Sequence, residues 1–296
     1  MIRIRPFALL ASALLVASAA LAQQSPSSTE YKPNVGQPGK DVVWVPTPEP
    51  LLERMLTMAQ VTAQDVVIDL GSGDGRTVIA AAKRGANAMG IEYNPDLVTL
   101  STRAAQREGV SAKAKFVKAD IFESDFSKAT VITMYLLPGL NLKLRPKLLE
   151  MKPGTRLVSH QFTMDDWLPD ETSYLDFRPA YLWIVPAKIQ GHWRVDAPGF
   201  MGIDMNLEQT YQRIKGEIEM AGNINGGLRE ARLWGDQIGF KIVDAKGVSR
   251  EFIGTVAGEK MNGTMKVGNE AVQWHATRLS QTAKARTGFV LKPISG

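Results

Sequence analysis

Val66-Val67-Ile68-Asp69-Leu70-Gly71-Ser72-Gly73-Asp74-Gly75-Arg76 passes from β-branched and apolar residues through one acid into three glycines at alternate positions. The run predicts a strand ending in a tight loop, and Thr77 to Lys83 then reads as a helix. A loop that lays its backbone against a ligand has no room for a Cβ on the contacting side and often needs positive φ, which glycine supplies. Its N–H groups and the helix N-terminus then face the bound molecule. A phosphate loop would end in Gly-Lys-Ser/Thr and a dinucleotide fingerprint would read G-x-G-x-x-G. Gly71-x-Gly73-x-Gly75 followed by Arg76 is neither.

Outward from this loop the chain alternates strand and helix. Pro50 to Ala59 has helical apolar spacing at Leu51, Leu52, Met55, Leu56 and Ala59 and leads into Val66. Downstream, Asn87 to Glu92 reads as a second strand, Pro95 to Glu108 as a helix, Ala114 to Lys118 as a third strand and Thr130 to Leu136 as a fourth. Leu140 to Glu150 is a further helix that Pro146 should distort, and Thr155 to His160 a fifth strand. This alternation predicts a parallel sheet with crossover helices. In such sheets ligands lie outside the carboxyl ends of the strands, so strand ends nominate site residues. Glu92, ending the second strand, stands where an acid accepts hydrogen bonds from ribose hydroxyls.

The glycine stretch resembles motif I of the class I S-adenosylmethionine (SAM) dependent methyltransferases, whose E/D-x-G-x-G-x-G loop holds the amino acid end of SAM. The resemblance implies a Rossmann-like α/β methyltransferase domain and SAM as cofactor. It makes Asp69, Gly71, Gly73 and Gly75 cofactor-binding residues, with Asp74 an extra carboxylate for the ligand's ammonium group. Asp120, ending the third strand, resembles the acid that meets the adenine amino group, with Ile121 against the ring face.

Val45-Pro46-Thr47-Pro48, the glycine loop, Glu92-Tyr93-Asn94-Pro95, Asp120 and Tyr135-Leu136-Leu137-Pro138 together resemble a narrower group, the small protein-lysine methyltransferases with mitochondrial membrane-associated members. That similarity runs from about Val42 to His160. It implies methyl transfer to an amine, with Tyr135 and Thr47 as catalytic residues: Tyr135 orienting the acceptor, and Thr47 with Trp44 covering the site. A free lysine has a pKa of about 10.4, so such a site must favour the neutral amine. The fourth strand departs from the Asn/Asp-Pro-Pro-Tyr/Phe pattern of many amine-directed enzymes, which argues against a DNA or glutamine substrate. His160, ending the fifth strand, is a candidate proton acceptor or a structural histidine. No second histidine or cysteine stands at ligand spacing, so no metal site is expected.

Beyond Pro179 helical patterning stops. Short alternating segments follow between glycine turns, at Gln212–Ile218, Arg229–Leu233, Gln237–Val243, Arg250–Val256, Lys260–Val267 and Ala271–Thr277. They predict an antiparallel β-rich domain, a small barrel or sandwich. Gly191-His192-Trp193 and Gln273-Trp274-His275 bracket it like opening and closing strands. Tyr181 to Ala187 suits either the last strand of the first domain or the first of the second.

The expected organisation is a signal peptide over 1–22, a flexible linker over 23–41, a methyltransferase domain over 42–187, a β-rich domain over 188–280 and a tail over 281–296. Arg3 and Arg5 precede the apolar run Phe7 to Leu21, and Ala20-Leu21-Ala22 offers a cleavage site after Ala22. Export to the periplasm or beyond is therefore expected, and the absence of cysteine leaves neither a lipoprotein anchor nor a disulfide. Removing Arg3 and Arg5, with no acid in 1–22, takes the formal charge from +5 to +3. That gives no basic surface for nucleic acid. Expected acceptors are protein lysine, including envelope- or membrane-associated protein, or a small molecule or lipid; the alternative function is a secreted non-catalytic binding protein on a methyltransferase fold. Export and a cytoplasmic methyl donor pull in opposite directions.

Overall fold

A computed structural model describes residues 31–220, 223–243 and 247–282. The expected signal peptide, the linker up to residue 30 and the tail from 283 lie outside the described residues.

Helix α1 (Glu49–Met58) starts at Pro48-Glu49-Pro50 and buries Leu51, Leu52, Met55 and Leu56 on one face. Strand β1 (Val66–Leu70) is almost wholly buried, as its β-branched run requires. It continues through the glycine loop into α2 (Arg76–Lys83), followed by β2 (Asn87–Glu92), α3 (Pro95–Arg107), β3 (Ala114–Lys118), β4 (Val131–Met134), α4 (Pro138–Leu149) and β5 (Arg156–His160). Asn94 caps α3 by accepting from Asp96 N at 2.9 Å. Helix α4 runs through Pro146 and ends only at Leu149, so the expected distortion does not break it.

The first sheet has seven strands in the order β3-β2-β1-β4-β5-β7-β6, two more than the sequence predicts. The additions are a hairpin, β6 (Glu171–Leu175) and β7 (Arg178–Ile184), with β7 antiparallel to β5. Most of Tyr181–Ala187 thus lies in the last strand of this sheet. Strand β6 escapes sequence reading because Glu171, Thr172 and Tyr174 are exposed and only Ser173 is buried. One sheet face packs on α1 and α2, the other on α4 and the indoles of Trp167 and Trp183. At the amino end of the parallel strands Asp65 accepts from Thr130 Oγ1 at 2.7 Å and pairs with Arg156, fastening β1, β4 and β5 together.

The second sheet is antiparallel with nine strands: β8 (Gly191–Ala197), β9 (Phe200–Thr210), β10 (Arg213–Met220), β11 (Asn223–Gly227), β12 (Arg229–Trp234), β13 (Gln237–Val243), β14 (Ser249–Ala257), β15 (Lys260–Val267) and β16 (Glu270–Ser280). Strand β8 pairs with β16, joining the two ends of the domain, as the bracketing tryptophan segments suggest. Leu228 N donates to Gly216 O at 2.8 Å, extending the β10–β11 ladder to the one residue that separates edge strands β11 and β12, so the sheet curls into a nearly closed barrel. Alternate residues fill it, among them Trp193, Met205, Phe240, Phe252 and Trp274. The described residues from Lys32 onward, both sheets included, belong to one compact unit.

Candidate active site

The cleft lies at the carboxyl ends of β1 to β4, where the sheet order reverses between β1 and β4. It encloses about 1060 Å³ of atom-free space, its open mouth included.

Gly71, Gly73 and Gly75 all have positive φ, at 79°, 53° and 81°. Gly71 and Ser72 turn their N–H groups back onto Ile91 O at 2.9 and 3.1 Å, which pins the loop to β2. A Cβ on Gly73 would stand 2.7 Å from Trp44 Nε1, so the bare backbone lets that indole close over the loop. Gly75 behaves differently from expectation. It does not line the cleft, and its would-be Cβ points at Ser101 and Phe116 at 2.5 and 2.7 Å. Its glycine serves packing of the loop on α3 and β3.

Asp69 is buried, 6% exposed, and accepts from Thr133 Oγ1 at 2.7 Å. Burial, opposed by the hydroxyl bonds and reinforced by Glu92 and Asp74, pushes its carboxyl up to about 7. Both oxygens of Glu92 are held by backbone, Oε2 by Gly73 N at 2.9 Å and Oε1 by Asn94 N at 2.8 Å. Asp74 lines the cleft but is forked by Arg76, whose Nη2 reaches Oδ2 at 2.6 Å while Nη1 donates to Thr47 O at 3.1 Å.

Asp120 and Ile121 line the far end of the cleft. Asp120 accepts from Phe122 N at 2.9 Å and pairs with Lys40, which holds its carboxyl below the usual range. The Lys40 ammonium also sits 4.8 Å from the Tyr93 ring centroid. Lys40 belongs to the stretch expected to be a flexible linker. The described part of that stretch folds instead: Asn34 to Trp44 forms a small hairpin-like strap, with Gly36 N donating to Trp44 O and Trp44 N to Gln37 O, both at 2.9 Å, and Gln37 to Val43 line the cleft. Its Gly39 and Pro38 read as a turn, but nothing in its composition marks it as a wall of the site.

At the opposite end Thr47 Oγ1 lies 3.0 Å from His160 Nδ1, and the Tyr135 ring leans on the imidazole, tilted by 33° with centroids 3.8 Å apart. His160 is 2% exposed, and burial, aided by nearby Arg178, lowers its pKa to about 4. It is a neutral imidazole at physiological pH. Thr47 and Tyr135 reach the cleft, whereas His160 stands behind them.

The cleft fits the implied cofactor. Glu92, Asp69 and Asp120 supply acceptors along its length, and Gly71 and Gly73 leave the loop backbone bare on its wall. Among the described residues no cluster of three metal-ligating side chains occurs.

A family model, the ANTKMT methyltransferase domain, matches residues 69–171. A protein-lysine N-methyltransferase of Saccharolobus islandicus is 47% identical over 133 residues, covering 44% of this chain and 83% of that protein. Two ATP synthase lysine N-methyltransferases, from Rattus norvegicus and Homo sapiens, are each 37% identical over 131 residues, 44% of this chain. The chain spans only 60% and 56% of those two proteins. A crystal structure described as an RNA methyltransferase from Salinibacter ruber in complex with S-adenosyl-L-homocysteine is 50% identical, with a TM-score of 0.48, covering 49% of this chain and 96% of that one.

Proposed function

Because this chain belongs to the family of the ANTKMT methyltransferase domain, and so to the SAM-dependent methyltransferases, we propose that it transfers methyl groups to lysine side chains of a protein acceptor. The observation that carries the lysine reading is the 47% identity across 83% of a protein-lysine N-methyltransferase. The cleft supports it chemically.

SAM, when bound, supplies a methyl group on a sulfonium. The chain's own residues hold and orient. Glu92, with each oxygen already fixed by a backbone N–H, presents its remaining lone pairs to ribose hydroxyls. Asp120 and Ile121 take the adenine end once Lys40 withdraws, and Asp69, Asp74, Gly71 and Gly73 take the amino acid end. Tyr135 and Thr47 wall the acceptor side, with Trp44 closing over Gly73. An incoming ammonium must lose its proton before it can attack. The corner formed by buried Thr47 and His160 and half-buried Tyr135 favours the neutral amine by desolvation. Most of the acceleration then comes from positioning.

We further read the chain as exported, on Arg3, Arg5, the Phe7–Leu21 run and Ala20-Leu21-Ala22, with an envelope acceptor. Fractionation of the source cells and sequencing of the mature N-terminus test this; cytosolic protein still starting at Met1 would refute it.

The test of the activity is incubation with tritium-labelled SAM and separate envelope and cytosolic fractions. Label recovered as methyl-lysine is the expected result. Label in lipid, in a small molecule or in RNA, with protein unlabelled, would overturn the lysine reading.

A further inference from the structure

Strands β5 and β6 both pair antiparallel with β7, so they run parallel to one another in one sheet. Such a connection ordinarily carries a crossover helix that covers the sheet face. Here Gln161 to Asp170 makes it without a helix, and with left-handed backbone at Gln161 and Asp165. Its Trp167 is fully buried and receives a 2.7 Å bond from Trp183 Nε1 at its carbonyl.

The missing cover comes from the barrel. At the turn between β9 and β10, Tyr211 (φ +55°) stacks on Trp167 with centroids 5.6 Å apart and planes 16° apart. Its hydroxyl donates to Asp166 Oδ2 at 3.0 Å. The Gln212 amide clamps the next two residues, accepting from Trp167 Nε1 at 3.0 Å and donating to Leu168 O at 2.7 Å. Gln209 ties the turn itself down, donating to Tyr211 O at 2.7 Å and Ala187 O at 2.8 Å.

The other end of the same loop touches the acceptor corner. Phe162 stacks on Tyr135 with centroids 6.1 Å apart, and its carbonyl accepts from Ser159 Oγ at 2.7 Å and Asn141 Nδ2 at 3.3 Å. Tyr135 in turn lies on His160, and His160 bonds Thr47. One ten-residue loop therefore has the barrel at one end and the acceptor wall at the other.

We propose that Tyr211 and Gln212 are positioning residues for methyl transfer: the barrel turn fixes the 161–170 loop and, through Phe162, the orientation of Tyr135 and His160. The barrel is then a working part of the methyltransferase. It replaces the crossover helix that the first sheet lacks.

The test uses full-length Gln212→Met, which keeps bulk but loses both hydrogen bonds, Tyr211→Ala, and Tyr211→Phe, which keeps the stack. Three quantities are measured: SAM affinity by calorimetry, the initial rate of tritium transfer into lysine at saturating SAM, and the His160 titration by NMR. His160 is one of three histidines, and its resonance is assigned with His160→Gln. Gln212→Met and Tyr211→Ala are expected to slow transfer about tenfold to a hundredfold, with SAM affinity unchanged and the His160 titration moved up from about 4 towards its ordinary value as water reaches the corner. Tyr211→Phe should stay close to wild type. A normal rate and an unmoved His160, with the Trp167 indole N–H resonance, assigned with Trp167→Phe, showing the bond to Gln212 broken, would overturn the proposal. So would a parallel loss of SAM affinity, because the damage would then be general. If Tyr211→Ala does not fold, Gln212→Met decides alone. The rate arm rests on the lysine reading; should wild type label no lysine, that reading fails while the His160 titration still judges this one.

Discussion

Lys40 pairs with Asp120, the carboxylate proposed for the adenine end of SAM. The ion pair with Asp120 is solvent-facing, so it is weak and screened by salt. It nevertheless competes directly, and the Lys40 charge also repels a ligand with a net positive charge. Both effects push the same way: Lys40→Met should bind SAM a few-fold more tightly than wild type, and the gap should narrow as salt is raised. Calorimetry at two ionic strengths measures it; weaker binding by Lys40→Met would mean that the lysine holds the ligand. At the other end, His160 has its folded pKa depressed from 6.5 to about 4. Between those values the unfolded chain binds more protons, so stability is full above about pH 6.5 and is lost as pH falls towards 4. The loss is on the order of 3 kcal/mol at most, from the size of the shift. Asp69, raised from 3.8 to about 7, contributes the opposite slope over the same window, so the His160 contribution is read as a difference: in urea unfolding between pH 4 and 7, wild type should lose more stability relative to His160→Gln as pH falls.

Within the glycine loop the element-scale contacts separate two kinds of glycine. A Cβ at Gly73 meets an indole edge that belongs to the strap and can retreat, whereas a Cβ at Gly75 meets Ser101 and Phe116, both packed beneath the loop. Gly75→Ala should therefore lower the melting temperature more than Gly73→Ala, while Gly73→Ala should mainly weaken SAM binding. Equal melting temperatures would contradict the distinction. These elements also show what a sequence makes legible. The places of Asp69, Gly71, Gly73, Asp74, Glu92 and Asp120 on one cleft are readable because strand-end position and residue type coincide in short stretches, whereas the motif does not reveal that Gly75 faces α3 and β3. The strap is not: Gln23 to Asp41 has the polar, Pro- and Gly-rich composition of a linker, and its order from Asn34 comes from long-range contacts such as Lys40 with Asp120. Strand β6 is hidden for a related reason, since an edge strand with one buried residue has no alternation to read.

At the scale of the molecule, the two sheets have separate cores, and the contacts between them include Tyr211 on Trp167 and Gly235 against Gly154 and Ile184. The barrel's strands are visible as alternating segments and the two bracketing tryptophan segments suggest its closing strands, but the register of β8 on β16, some eighty positions apart, is encoded by no local pattern. Its core turns on Trp274, which meets Phe252 and Phe240 edge-on at 5.4 and 5.8 Å. Trp274→Ala should cost about 3–5 kcal/mol of barrel stability, read by urea unfolding; a loss under about 1 kcal/mol would mean the barrel is loosely packed. The glycine loop, Glu92 and the strap form the one cleft proposed to hold SAM. Calorimetric titration of the purified protein with SAM, beside Glu92→Ala, is the measurement to make first. Micromolar binding, about −8 kcal/mol, weakened at least tenfold by the substitution, is the expected result. No heat of binding from a well-folded protein, or full affinity in Glu92→Ala, would contradict it.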